Sequence, residues 1–230
     1  MHICGIEKMS LVDFDGLVAS TVFTGGCNFK CGFCHNSALV LGGQSLPAIP
    51  EEEILSYFEK RKGIIDGVCV SGGEPTLQKD LPLFLEKIKK IGLKIKLDTN
   101  GTSPESIKSF NKNGLVDYFA MDIKNDRENY AKIIGFDKYD TLNIEKSVEY
   151  FLSGKTKYEF RTTLIKEYHQ KENIEKIGEW IKGADKYFLQ KFRESENCII
   201  RNLNEVPIDI ANGFKDILSP LVKKVSLRGY

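Results

Sequence analysis

The run Cys27-Asn28-Phe29-Lys30-Cys31-Gly32-Phe33-Cys34 sets three thiols within eight residues in a C-x3-C-x2-C pattern. With Gly25 and Gly26 just before it, so short a loop can turn tightly enough to aim all three sulfurs at one centre. A 4Fe-4S cube has four irons and is usually held by four cysteines, so three thiolates leave one iron open to a ligand. Phe29 and Phe33 are placed to keep water from such a cluster and so to tune its potential. Other chemistries share these residues. Cys31-Gly32-Phe33-Cys34-His35 also matches C-x-x-C-H, the attachment pattern for c-type haem, which needs export and leaves Cys27 unused. A zinc knuckle needs a fourth ligand, and His35, adjacent to Cys34, is badly placed to complete a tetrahedron. Thioredoxin-like exchange has no role for a third thiol at this spacing.

Three further clusters of polar or glycine residues stand beyond the cysteines: SGGEP at 71–75, DTNG at 98–101 and MDIK at 121–124. Each, like the cysteine loop, follows a short apolar or β-branched run. Strands are expected at 19–24, 67–71, 94–99, 118–124, 158–165 and 186–192, with a further one at 223–227. Helical stretches alternate with them. Leu81, Phe84, Leu85, Ile88 and Ile91 recur at helical spacing, with Asp80 as N-cap and Gly92 as stop. Pro50 with Glu51, Glu52 and Glu53 reads as an acidic first turn, and Ser103-Pro104 as N-cap plus first helical residue. Ile174, Ile177, Trp180 and Ile181 form another apolar stripe, with Trp180 expected in the core. Six successive βα units suit either a doubly wound sheet or a barrel, and in both the carboxyl ends of parallel strands build the active site. The four motif clusters should therefore gather at one mouth.

Length and composition agree with one soluble domain spanning 1–230. The 41% hydrophobic and 28% charged fractions are those of a soluble globule, and a formal net charge of +1 argues against a broad nucleic-acid surface. The first residues lack the layout of a signal peptide, and no apolar run reaches the roughly 18 residues of a membrane span, so a cytoplasmic protein with no membrane partner is expected. In that reducing compartment the six cysteines are not a disulfide framework. Cys69, inside GVCVSGG, reads as a small buried hydrophobe, and Cys4 and Cys198 as bland.

The C-x3-C-x2-C loop after a first strand, joined to SGGEP after the second, resembles the hallmark of radical S-adenosylmethionine enzymes. That resemblance implies an α/β fold, a partial (β/α)6 TIM-type barrel open on one side. It implies that Cys27, Cys31 and Cys34 hold a 4Fe-4S cluster whose open iron is chelated by S-adenosyl-L-methionine, with Gly72, Gly73 and Glu74 at the cofactor's amino group. Asp98, Thr99, Asn100, Asp122 and Lys124 end their strands with hydrogen-bonding groups and charges suited to its amino, carboxylate and ribose groups, strand-end caps and solvated charges being the alternative, and the resemblance carries the cofactor-lining role to Asp122 and Lys124. Asp98, Thr99 and Asp122 further correspond to positions that help to hold a monovalent cation. Arg161 in YEFRTT reads equally as a cofactor contact or an ordinary ion pair, and His169 as an exposed loop histidine.

From residue 10 to 229 the chain further resembles glycyl-radical activating enzymes, above all the activators of anaerobic ribonucleoside-triphosphate reductase. The pieces are VFTGGCNFKCGFCHN, SGGEPTLQKDLP, KLDTNG, VDYFAMDIK, YEFRTT, LQKF and VSLRG. The implied reaction is reductive cleavage of the cofactor to a 5'-deoxyadenosyl radical, which takes hydrogen from a glycine of the partner, with a flavodoxin or ferredoxin-type electron donor. Two departures stand out. DFDG has Asp15 where these activators often have proline, and LQKF carries Gln190 without the histidine of pyruvate formate-lyase activators, which favours the reductase as partner. Activation of another glycyl-radical enzyme such as pyruvate formate-lyase, and a non-catalytic iron-sulfur electron carrier, are the alternatives.

Overall fold

The computed structural model describes residues 1–230, apart from the side chain of Gln44. In chain order its elements are β1 (Ile3–Ser10), β2 (Ala19–Thr24), α1 (Ser37–Gly42), α2 (Glu51–Lys60), β3 (Gly67–Gly72), α3 (Leu81–Ile91), β4 (Lys94–Thr99), α4 (Pro104–Lys112), β5 (Tyr118–Asp122), α5 (Tyr130–Ile133), α6 (Leu142–Leu152), β6 (Tyr158–Leu164), α7 (Lys171–Trp180), β7 (Tyr187–Lys191), α8 (Ile208–Leu218) and β8 (Val225–Arg228). The eight strands form one sheet in sequence order, and the sheet is not closed. This is the α/β partial-barrel class expected from the motifs. No helix among the described residues is long and apolar enough to cross a membrane. By contact density the chain divides into two compact units, one holding β1 to β4 and the other β6 to β8, with β5 contributing its first two residues to the first and the rest to the second.

In the first unit β2, β3 and β4 are parallel, and β1 runs antiparallel to β2, with Ile3 opposite Thr24 and Ser10 opposite Ala19. No strand was expected at β1. Three of its eight residues, Glu7, Lys8 and Met9, are exposed, so its sequence lacks a sustained apolar alternation. β2 and β3, by contrast, are buried over most of their length, including Ser20, Thr21 and Thr24 of β2, because both faces are covered. Their register ends on the pair Thr24 and Gly72, so the residues that follow each strand leave side by side. α3 buries the expected stripe of Leu81, Phe84, Leu85, Ile88 and Ile91 and stops at Gly92 in the left-handed conformation, φ 96°. Asp80 stands at its N-cap but makes no side-chain cap hydrogen bond.

In the second unit β6, β7 and β8 are parallel, with Phe160 beside Tyr187 and Tyr187 beside Val225. Phe160 is fully buried, its ring 5.0 Å from that of Tyr158 and 6.0 Å from that of Phe151. Trp180 departs from the expectation of a core residue. It is half-buried at the end of α7, where the Arg127 guanidinium lies 5.1 Å from its ring centre. The cation covers the ring's outer face, so the tryptophan needs no complete burial.

Truncating Phe160 to Ala should remove a fully packed ring at the centre of this aromatic group, at a cost of about 3–5 kcal/mol. Urea unfolding of the cluster-free protein measures it, and a loss below about 1 kcal/mol would show that the site collapses to fill the void.

Candidate functional site

The polar ends of β2 and β3 are joined through backbone. Gly26 O accepts the Glu74 N–H at 2.9 Å, and Gly73 N–H donates to Thr24 O at 2.9 Å. This approach leaves no room for side chains: a Cβ at residue 73 would lie 1.9 Å from Gly26 O, and Gly72 has φ 111°. Gly25 is confined in the same way, its missing Cβ facing Cys4 Sγ at 2.7 Å. Two sequence features, the GG before Cys27 and the GG of SGGEP, are thus halves of one backbone contact. Cys4 is part of the packing that sets it.

Glu74 is buried, 1% exposed, and does not project into open space. Its Oε1 accepts from Thr76 N–H at 3.1 Å, from Thr76 Oγ1 at 2.6 Å and from Thr99 Oγ1 at 2.8 Å. The carboxylate therefore ties the end of β3 to the end of β4. Asp98 Oδ2 accepts from Ser71 Oγ at 3.0 Å, and its Oδ1 lies 3.9 Å from the ammonium of Lys96. Lys96, only 2% exposed, donates to Asp13 O at 2.7 Å, while Asp13 Oδ2 accepts from Thr21 Oγ1 at 2.6 Å. The DFDG segment thus turns Asp13 and Phe14 inward and leaves Asp15 exposed. A fully buried lysine on β4 carries no motif, and sequence reading passed it over.

The second unit holds residues 29–37 of the cysteine loop, and Asn100 with residues 101–104. Asn100 Oδ1 accepts from Thr102 N–H and Oγ1 at 3.1 and 2.7 Å, a local turn that shapes the segment after β4. Asp122 Oδ1 meets Arg161 Nε at 2.9 Å, and its Oδ2 meets Lys124 Nζ at 2.9 Å. One carboxylate against two cations leaves the trio with a net positive charge. Burial alone would raise the Asp122 pKa, but Arg161 and Lys124 outweigh it and hold the group down at about 2. Lys124 is held up, against burial, by Asp122 first and then by Cys31. Its ammonium also lies 5.7 Å from the Phe33 ring centre. Burial raises the Cys34 thiol, opposed by the Asn36 backbone hydrogen bond and by Lys124.

His169 corrects the expectation of an exposed loop residue. It is 1% exposed, with Ile165 N–H donating to Nδ1 at 2.9 Å and Nε2 donating to Lys124 O at 2.9 Å. These partners assign the Nε2–H tautomer, and burial lowers the pKa so that the ring is neutral. The histidine fixes the backbone from which Lys124 reaches the cysteines. No sequence pattern marked this, because its partners are main-chain atoms. His35, the residue a zinc knuckle would use, is spent elsewhere: Nε2 bonds Arg193 O at 2.6 Å and the ring stacks on Phe192.

None of the six cysteines is disulfide-bonded; Cys31, Cys69 and Cys198 are buried and Cys4, Cys27 and Cys34 half-buried. Among the described residues no three His, Cys, Asp or Glu side chains stand at metal-ligating distance. The donor set nevertheless fits an iron-sulfur group in its chemistry, since the ammonium of Lys124 faces the charge that Cys31 and Cys34 would carry as thiolates. A monovalent cation fits less well. Asp98 already faces Lys96, and Asp122 faces Lys124 and Arg161.

The sequence model of the Radical SAM superfamily matches residues 21–181. A protein of Methanocaldococcus jannaschii that bears the name of a glycyl-radical enzyme activating enzyme is 31% identical over 226 residues, 96% of this chain and 92% of that one. The pyruvate formate-lyase-activating enzyme of Staphylococcus aureus is 29% identical over 209 residues, 83% of this chain and 78% of that one. Among solved structures, Streptococcus suis SuiB bound to S-adenosylmethionine superposes with a TM-score of 0.70 at 16% identity, over 89% of this chain and 48% of that one. The likeness to SuiB is one of fold, and this chain spans about half of SuiB's length.

Two pH dependences follow from the site. A neutral buried histidine makes the folded state bind fewer protons than the unfolded one, so stability should fall as pH drops below the ordinary histidine pKa of about 6.5. Replacing His169 by Gln should remove that component from the melting curve of the cluster-free protein. Asp122, with its pKa held down, contributes stability above its unfolded pKa of about 3.9 that is lost as pH falls towards about 2. Asp122→Asn should be less stable at neutral pH and should lack that acid step. Unchanged profiles in both variants would contradict these assignments.

Proposed function

The chain belongs to the radical S-adenosylmethionine superfamily, and from that premise we propose that it activates an anaerobic ribonucleoside-triphosphate reductase by removing hydrogen from a glycine of that enzyme. The chain is an enzyme of the glycyl-radical activating type, as its relatives are, which sets aside the electron-carrier reading. When bound, a reduced 4Fe-4S cluster and S-adenosyl-L-methionine supply a carbon-centred radical by reductive cleavage of the sulfonium.

The protein's part is to bind, orient and shield. Cys27, Cys31 and Cys34 are assigned as the thiolates that hold the cluster. The observation that carries the reading is the cationic trio of Asp122, Lys124 and Arg161 set against the Cys31–Cys34 segment. Its surplus positive charge suits the cofactor's carboxylate, and Asp122 positions both cations rather than acting alone. Gly72 and Gly73 are assigned to the amino group; their close packing on Thr24 and Gly26, with Glu74 bonded to Thr76 and Thr99, fixes that strand end for it. Asp98, Thr99 and Asn100 are assigned to the polar end of the same ligand. We assign no monovalent cation, because Lys96, Lys124 and Arg161 already supply positive charge to the two carboxylates that would bind one.

Gln190, half-buried on β7 where pyruvate formate-lyase activators are expected to carry a histidine, supports the reductase as partner. The likeness to the Staphylococcus aureus enzyme supports pyruvate formate-lyase as the second reading. A flavodoxin or ferredoxin-type protein is the proposed electron donor.

Protein reconstituted without oxygen should release 5'-deoxyadenosine from S-adenosyl-L-methionine on reduction. It should also raise a glycyl radical, detected by electron paramagnetic resonance, on anaerobic ribonucleotide reductase and not on pyruvate formate-lyase. Cys31→Ala should abolish both products, and Lys124→Ala should weaken cofactor binding roughly tenfold, the loss of one charge-assisted hydrogen bond. A radical on pyruvate formate-lyase alone would replace the first partner by the second. Cleavage undiminished in Cys31→Ala would refute the cluster assignment.

A further inference from the structure

The long connection from β7 to α8 crosses the cysteine turn and is tied down on both sides of it. At one end Arg193 O bonds His35 Nε2 at 2.6 Å. At the other, Glu205 bridges to Ile165, and Asn204 O accepts the Lys166 N–H at 3.0 Å while the Asn204 amide meets the Glu167 carboxylate at 2.7 Å. Between these ends the chain lies on the turn itself. Ile200 N–H donates to Gly32 O at 2.8 Å, and Cys198 Sγ lies 3.8 Å from Phe33 O. The turn is closed by Cys34 N–H bonding Cys31 O at 3.0 Å, so two carbonyls inside the turn point to the crossing segment.

Gly32 has no positive φ to explain it. What excludes a side chain there is Ile200: a Cβ on residue 32 would meet Ile200 Cδ1 at 2.5 Å and Cγ1 at 2.8 Å. Gly32 and Phe33 are buried, whereas Ile200 is 46% exposed. The isoleucine therefore has one face on the backbone between two cysteines and the other in solvent, as a cover does.

We propose that residues 193–204 form a strap, with Ile200 as the positioning residue that holds the Cys31–Cys34 turn closed, so that iron bound by those cysteines would be lost more slowly to water and oxygen. This rests on the assignment of Cys31 and Cys34 as cluster ligands. Ile200 acts through Gly32, the backbone between the two cysteines. Its function is retention of the iron, not the chemistry of cleavage.

The strap and the turn are tested as a pair. Wild-type protein, Ile200→Ala, Gly32→Ala and the double variant are reconstituted without oxygen, then exposed to air while the cluster's visible absorption is followed. Each single variant should bleach roughly tenfold faster, because local opening of the strap becomes that much more populated. The double variant should recover towards the wild-type rate, because the alanine Cβ at 32 occupies space that the shortened residue 200 vacates. Ile200→Val, which loses only the Cδ1 nearest Gly32, should bleach at a rate between those of wild type and Ile200→Ala, and that graded series decides the matter if Gly32→Ala does not fold; wild-type rates in both Ile200 variants would overturn the strap. Wild-type rates in both single variants would overturn the strap, and so would accelerations in the single variants that simply add in the double variant. Failure of the wild-type protein to take up iron would instead refute the cluster assignment and the strap with it.

Discussion

The negative charge that the proposed thiolate ligands would bring to the cysteine turn is the constraint around which the second unit is arranged. Thiolate ligands in a largely buried loop need a compensating cation, and the cation needs its own support to remain charged away from water. Lys124 supplies the charge. Asp122 keeps it protonated, Arg161 prevents Asp122 from cancelling it, and the carbonyl of Lys124 is held by a neutral histidine. Remove any of these and the others lose their reason to be buried.

The first unit solves a different problem, close approach of backbone. β2 and β3 end in register at Thr24 and Gly72, and the glycines on either side let the two chains touch through Gly26 and Glu74. Charge plays a supporting part here. Glu74 and Asp98 are neutralised or saturated by Thr76, Thr99, Ser71 and Lys96, so the strand ends are rigid before any ligand arrives.

Much of this was legible in the sequence because the chemistry is local. The cysteine spacing, the GG pairs and the Asp-x-Lys pair each sit within a few residues, and β2 and β4 were bounded correctly by their apolar runs and by the motifs at their ends. What escaped reading depends on partners far along the chain. β1 is a strand by virtue of its hydrogen bonds to β2 and not of its own pattern. His169 is buried because Lys124 O and Ile165 N–H lie beside it, and Trp180 is capped by Arg127 rather than sunk in the core. Lys96 looks like any strand-edge lysine until Asp13 folds over it. Cys198 and Ile200, in a segment without periodicity, acquire meaning only from the carbonyls of Gly32 and Phe33.

The central claim is that three thiolates hold the iron and the sulfonium ligand occupies the corner they leave. Electron paramagnetic resonance of the reduced, reconstituted protein, recorded while S-adenosyl-L-methionine is added, tests this at the iron itself. The account predicts a cluster signal whose g-values shift as the cofactor binds, saturating with binding. A cluster signal indifferent to the cofactor would mean that no corner is open to it, and would contradict the account at its root.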